Sequence, residues 1–162
     1  MSRPVYIVFM FALFCLLLTP ALMPRSISPE ELVSIKWLTH PELSPDGNRI
    51  AFQVRIADLE KSRYQQDIYL CDLVSGRTSE LLLTDKDERA PQWSLDGAFL
   101  GFLSDRGDSS ESEPIVQVWL LPLSGGEAKQ LTESPTSIEQ FRLSEDGKYI
   151  YYLAEQERPA PK

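Results

Sequence analysis

An all-β fold assembled from repeated four-stranded antiparallel units is predicted by three observations. The first is a phrase that occurs three times. Leu43-Ser44-Pro45-Asp46-Gly47 runs into Asn48-Arg49-Ile50-Ala51-Phe52, Trp93-Ser94-Leu95-Asp96-Gly97 into Ala98-Phe99-Leu100-Gly101-Phe102, and Leu143-Ser144-Glu145-Asp146-Gly147 into Lys148-Tyr149-Ile150-Tyr151-Tyr152. Gly47, Gly97 and Gly147 stand at a constant interval of 50 residues, inside the period range of architectures whose units bury their cores only against neighbours. The second is a further phrase in the same register, Asp67-Ile68-Tyr69-Leu70-Cys71-Asp72-Leu73-Val74-Ser75-Gly76, which returns as Gln117-Val118-Trp119-Leu120-Leu121-Pro122-Leu123-Ser124-Gly125-Gly126. Each copy is followed by an apolar segment closing on threonine, Glu80-Leu81-Leu82-Leu83-Thr84 and Ala128-Lys129-Gln130-Leu131-Thr132.

The third observation is turn chemistry. Pro45 presets the backbone angle for the second position of a type I turn, and Gly47 tolerates the left-handed conformation that returns the chain into a hairpin. That second position is Pro45, Leu95 and Glu145 in turn, as a type I turn allows, whereas Asp and Gly recur in every copy. The aspartates are expected to bond the turn backbone, the ordinary use of Asp there. Within one unit the order becomes strand, Asp-Gly turn, strand, variable loop, strand, Ser-Gly turn, strand. Four antiparallel strands per repeat make a propeller blade. The near-continuous apolar runs Ile50-Ala51-Phe52 and Phe99 to Leu103 suit strands covered on both faces.

The elements follow in chain order. Residues 1–21 read as a signal peptide: Arg3 supplies a basic start, Val5 to Leu18 an apolar stretch, and Thr19-Pro20-Ala21 small residues for cleavage after Ala21. Retention as an N-terminal anchor is the alternative, since apolar character continues through Leu22 and Met23. Phe14 is too bulky for a lipoprotein cleavage site before Cys15. Ser28-Pro29-Glu30-Glu31 is a capping box with proline at the first helical position, and a short helix is expected over 28–38 with Leu32, Ile35 and Leu38 on one face. Glu30 and Glu31 are explained by the helix dipole. Blade one is expected over 40–84, blade two over 90–132 and the first half of blade three over 138–153, with 154–162 as a truncated end. Propellers close with about four to eight blades, so two and a half imply a longer polypeptide or partners that complete the ring.

Composition mostly excludes. The net charge is −8 and no basic cluster occurs, so the electrostatic footprint of nucleic-acid binding is missing. Without the leader, Cys71 is the single thiol, which excludes an internal disulfide and makes it a small core hydrophobe. His40 is the only histidine, expected just before the first blade strand in a structural or solvent role. Arg106-Gly107-Asp108 spells an adhesion tripeptide in a polar loop, and Asp108 to Glu113 is an acidic, serine-rich loop suited to contacting a partner domain. No catalytic, cofactor-binding or metal-binding residue is assigned, and no cofactor is expected.

The helix opened by Ser28-Pro29-Glu30-Glu31, the Leu43 and Trp93 turn phrases, Phe102-Leu103-Ser104-Asp105-Arg106, and Leu123 to Thr132 together resemble the N-terminal propeller of the prolyl oligopeptidase (S9) family, nearest its acylaminoacyl-peptidase-like members. The resemblance spans Ser28 to Leu153. TolB and related binding propellers use similar Asp-Gly repeats and are the alternative. The family resemblance implies a propeller that caps an α/β-hydrolase domain and gates peptide access to a buried Ser-Asp-His triad. No Gly-x-Ser-x-Gly nucleophile elbow occurs in these residues, so no family catalytic residue is carried over. Glu30 and Glu31 precede blade one, so the amine-holding glutamates of dipeptidyl-peptidase members are not transferred to them. The implied reading is a propeller fragment of an exported, periplasmic or secreted serine peptidase, inactive alone, whose partners are the rest of the propeller, the hydrolase domain and a peptide substrate. The alternative is a TolB-like periplasmic protein-binding scaffold.

Overall fold

The computed structural model describes residues 26–82, 84–107 and 114–156. The expected signal peptide, the acidic loop from Asp108 and most of the expected truncated end lie outside them. The chain divides into two compact units, Met1–Leu32 and Val33–Lys162.

Ser28 caps the short helix α1, Pro29–Val33. The Glu31 amide donates to Ser28 Oγ, and the Ser28 amide donates back to Glu31 Oε2, each at 3.1 Å. This is the reciprocal bonding of a capping box. The helix stops five residues short of the expected Leu38. Trp37 and Leu38 instead open the first strand, because they pair with Arg55 and Val54, and strand pairing outweighs a weak helical propensity.

The described strands of the second unit all pair antiparallel. Strands β1 (Trp37–Leu43), β2 (Arg49–Asp58), β3 (Arg63–Asp72) and β4 (Thr78–Glu80) form one four-stranded sheet in sequence order. Strands β5 (Glu88–Trp93), β6 (Phe99–Ser104), β7 (Gln117–Pro122) and β8 (Lys129–Gln130) repeat it, and β9 (Ile138–Leu143) pairs with β10 (Ile150–Ala154). The first sheet thus begins at Trp37, ahead of the His40 expected from the sequence.

Each Asp-Gly turn is built identically. The glycine amide donates to the serine carbonyl three residues back at 2.9, 2.9 and 3.0 Å, and Gly47, Gly97 and Gly147 take φ of 73°, 68° and 67°. The serine hydroxyl donates to Asp46, Asp96 or Asp146 at 2.5 to 2.6 Å. That hydroxyl also accepts the amide of Arg49, Phe99 or Tyr149 at 2.9 Å. The serine bond is the main reason all three carboxyls sit below the ordinary aspartate value.

The fourth strands are shorter than the sequence suggests, ending at Glu80 and Gln130 rather than at Leu-Thr. Leu81 N donates to Ile68 O and Leu131 N to Val118 O, both at 2.8 Å. Leu81 is therefore the counterpart of Leu131, and Thr84 is not the counterpart of Thr132. The apparent Leu-Thr repeat is out of phase: Thr84 and Thr132 stand 48 residues apart in the sequence, whereas the strands on either side recur at 50, Glu80 with Gln130 and Glu88 with Ile138.

Two apolar clusters hold the sheets face to face. Ala51, Ile68, Trp93, Leu100, Phe102 and Leu121 lie between the first and second sheets. Leu103, Val118, Ile138 and Phe141 lie between the second sheet and the β9–β10 hairpin. Close approach at the second contact depends on Gly101, where a Cβ would stand 3.0 Å from Phe141 Cε2 and 3.3 Å from Leu143 Cδ1. Cys71, expected in the core, is only half-buried on β3.

Candidate functional site

The leading strands β1, β5 and β9 come together along one groove of about 470 Å³, whose lining includes His40, Glu42, Gln92, Glu139, Gln140 and Arg142. Two of these strands are bulged: pairing shifts between Thr39 and Glu42 and between Arg89 and Gln92. His40 and Ala90 occupy the bulges at φ of 50° and 52°, each just before a proline, which donates no ladder bond and is at home at a bulge. His40 thus lies within β1 rather than before it, exposed on the groove.

Polar links tie the three strands. Trp93 Nε1 donates to Glu42 O at 2.9 Å and Leu143 N donates to Gln92 Oε1 at 2.7 Å. The side chains of Arg142 and Glu42 approach to 3.8 Å with 72% and 38% exposure. An ion pair so solvated contributes roughly 0–1 kcal/mol. The groove therefore presents hydrogen-bonding and charged groups to solvent, suited to holding a polar chain.

A second polar assembly sits where β5 begins, at the end of the strand away from the Asp-Gly turn. The Glu88 side chain is fully buried; its Oε1 accepts from Arg106 Nη2 and from Thr84 Oγ1, and its Oε2 has no partner. Burial pushes the Glu88 carboxyl above the ordinary glutamate value, against the lowering influence of Thr84 and Arg106. The Arg106 guanidinium also lies 5.0 Å from the Phe102 ring centre and 5.4 Å from that of Trp119. Nearby, Asp67 is raised by burial first, with Glu80 and Asp87 adding to it. The adhesion tripeptide is thereby accounted for: Arg106 is committed to a buried pair, and Asp108 lies outside the described residues. Sequence reading passed over Glu88, although the repeat carried a signal. The residue 50 positions later is the buried Ile138, so a charge occupies a position the next unit fills with an apolar side chain.

Among the described residues, no group of three His, Cys, Asp or Glu side chains is placed to hold a metal ion.

No model of a known protein family matches the sequence. Curated relatives do match. The chain is 31% identical over 129 residues to the uncharacterized peptidase YuxL of Bacillus subtilis, covering 79% of this chain and 19% of the relative. It is 36% identical over 135 residues to dipeptidyl-peptidase 5 of Porphyromonas endodontalis, covering 82% and 18%. The chain is similar to the propeller of S9-type peptidases. It spans less than a fifth of the length of these two relatives. Solved structures show the same fold. Pyrococcus horikoshii acylaminoacyl peptidase superposes with a TM-score of 0.63 at 19% identity, over 80% of this chain and 19% of that one. The β-propeller domain of the Trilobed protease from Pyrococcus furiosus gives 0.57 at 18% identity, over 74% and 34%. The putative TolB of Agrobacterium tumefaciens gives 0.58 at 21% identity, over 75% and 39%. The partial propeller predicted from the repeat is thus the fold of this chain.

Proposed function

We propose that this chain is the opening part of the propeller of an exported S9-type serine peptidase, and that the propeller restricts which peptides reach an α/β-hydrolase domain carried by the same polypeptide. The observation that carries this reading is the 31% identity to a peptidase of which the chain spans only 19%. A segment of that length holds propeller strands and no nucleophile elbow, so the chemistry belongs to the remaining polypeptide. The groove along β1, β5 and β9 supports the gating role, since in a closed ring these leading strands would line the central passage.

The chain contributes walls, not reacting groups. Its single histidine stands exposed on the groove, and Glu88, whose carboxyl burial raises, is held in an ion pair with Arg106. Export rests on the Val5 to Leu18 apolar run and the Ala21 cleavage point.

The deciding experiment is to read the coding DNA in frame past Lys162. Further Asp-Gly repeats followed by a Gly-x-Ser-x-Gly elbow, then Asp and His, are expected. Further repeats and a stop would favour the TolB-like scaffold, whose fold this chain also shares. N-terminal sequencing of the protein recovered from an expressing cell checks the leader, with Leu22 expected as the first residue.

A further inference from the structure

Asp46-Gly47, Asp96-Gly97 and Asp146-Gly147 are the three Asp-Gly bonds of this chain, and that dipeptide carries a chemical liability. Glycine has no Cβ to hinder its amide, so the amide nitrogen is free to attack Cγ of the preceding carboxyl. The carboxyl must be protonated for this step. A new N–C bond forms, the C–O bond breaks, and the hydroxyl leaves with the amide proton as water. The product is a five-membered succinimide, which water reopens at either carbonyl. One opening restores aspartate; the other leaves isoaspartate, with the main chain running through the side-chain carbon. The water lost in the first step is regained in the second. All three aspartates are exposed, so the solvent for that second step is at hand.

The turns oppose each requirement of the first step. The attacking nitrogen is engaged, because each glycine amide donates to the serine carbonyl at 2.9, 2.9 and 3.0 Å. The carboxyl is held by two donors on its Oδ1: the serine hydroxyl at 2.5 to 2.6 Å and the amide of Asn48, Ala98 or Lys148 at 3.0 to 3.1 Å. The serine is anchored in turn, since its Oγ accepts the amide of Arg49, Phe99 or Tyr149 at 2.9 Å. The serine bond is also the first cause that keeps these carboxyls below the ordinary aspartate value, so the protonated form that reacts is scarcer. Turn shape alone does not call for a carboxylate here. An asparagine would accept the same backbone bond, but its amide carbon stays electrophilic at any pH, whereas an aspartate held ionised does not react.

We propose that the three Asp-Gly bonds are latent isomerisation sites and that Ser44, Ser94 and Ser144 hold them closed, each serine guarding the aspartate two residues after it. The serine thus has a chemical part beside its structural one. The stake is the register of the hairpin. Isoaspartate lengthens the main chain by one carbon at a turn whose flanking residues pair directly, Leu43 with Ile50, Trp93 with Leu100 and Leu143 with Ile150. The register of a hairpin is fixed by its turn, so one such event would misalign the strands on either side.

The test compares the whole chain with its Ser94→Ala variant during prolonged incubation at mildly acid pH. Both are then digested, and the isoaspartyl peptides are separated by reversed-phase chromatography and identified by electron-transfer fragmentation. Isoaspartate at position 96 is expected to accumulate at least about fivefold faster in the variant, the factor that one ordinary hydrogen bond sustains, while positions 46 and 146 keep their native rates. Ser94→Thr, which restores the hydroxyl, is expected to return position 96 to the native rate. An unchanged rate at position 96 in Ser94→Ala would overturn the proposal. So would an equal rise at all three positions, since general loosening rather than the missing hydroxyl would then be the cause. Should Ser94→Ala fold poorly, Ser144→Ala in the exposed turn between β9 and β10 asks the same question, with the rise expected at position 146 alone.

Discussion

Glu88 and Gly101 are single residues on which neighbouring units depend, for opposite reasons. At Glu88 a carboxylate is buried with one oxygen unpartnered and is tolerated because Arg106 neutralises it. Removing one member of such a pair strands the other charge, at a cost of about 3–5 kcal/mol. Arg106→Ala is therefore expected to destabilise the chain by about 3 kcal/mol at pH 7, measured by urea denaturation. The sign of the pH dependence follows from burial. The folded Glu88 carboxyl is held above its unfolded value of 4.5, so its contribution to stability is full below that value and is lost as pH rises through the raised one. The cost of Arg106→Ala should accordingly shrink towards pH 4, and an equal cost at both pH values would show that the lost charge partner is not its cause. At Gly101 the constraint is space. Gly101→Ala would press a methyl on Phe141 Cε2 at 3.0 Å and is expected to destabilise by about 1–3 kcal/mol. A larger residue there should be worse still. Ala51, its counterpart in β2, already accommodates a Cβ.

At the scale of elements, the strands differ in how completely they are covered. The six residues of β6 are nearly all buried, whereas the central residues of β10 are exposed, with Tyr151 and Leu153 at 62% and 61%. Exchange protection tracks local burial and pairing, so β10 amides are expected to exchange at least about tenfold faster than those of β6 in the chain alone, read by mass spectrometry after peptic digestion. Equal protection would mean that something already covers that edge. The units are also linked element to element by Trp93 Nε1 on Glu42 O. Trp93→Phe keeps an aromatic ring in the cluster but removes this donor from the Glu42 carbonyl. A loss of about 1–2 kcal/mol is expected, and Tm in a thermal melt is the readout.

At the scale of the whole molecule, each described sheet completes its core only against the next, so stability accumulates by contact between neighbours. The peptidase reading predicts that the chain alone remains unlabelled by a serine-reactive fluorophosphonate while the longer polypeptide is labelled. Labelling of the isolated chain would place a nucleophile among these 162 residues and refute the division of labour proposed. The sequence by itself determined the repeat, the turn type and the antiparallel order. These are local: Ser-x-Asp-Gly closes its turn with bonds spanning no more than five residues, and a period-fifty phrase is visible without knowing what it packs against. Tertiary structure decided what depends on partners distant in sequence. Pairing with β2 took Trp37 and Leu38 from the expected helix, the inner-strand bulge took His40 into β1, and the hydrogen bond of Leu81 to Ile68 put the Leu-Thr phrase out of phase. The Glu88–Arg106 pair joins residues 18 apart. The repeat marked Glu88 as a departure, but only folding brought a guanidinium to it, because burial and charge pairing belong to the packed sheets rather than to any segment of the chain.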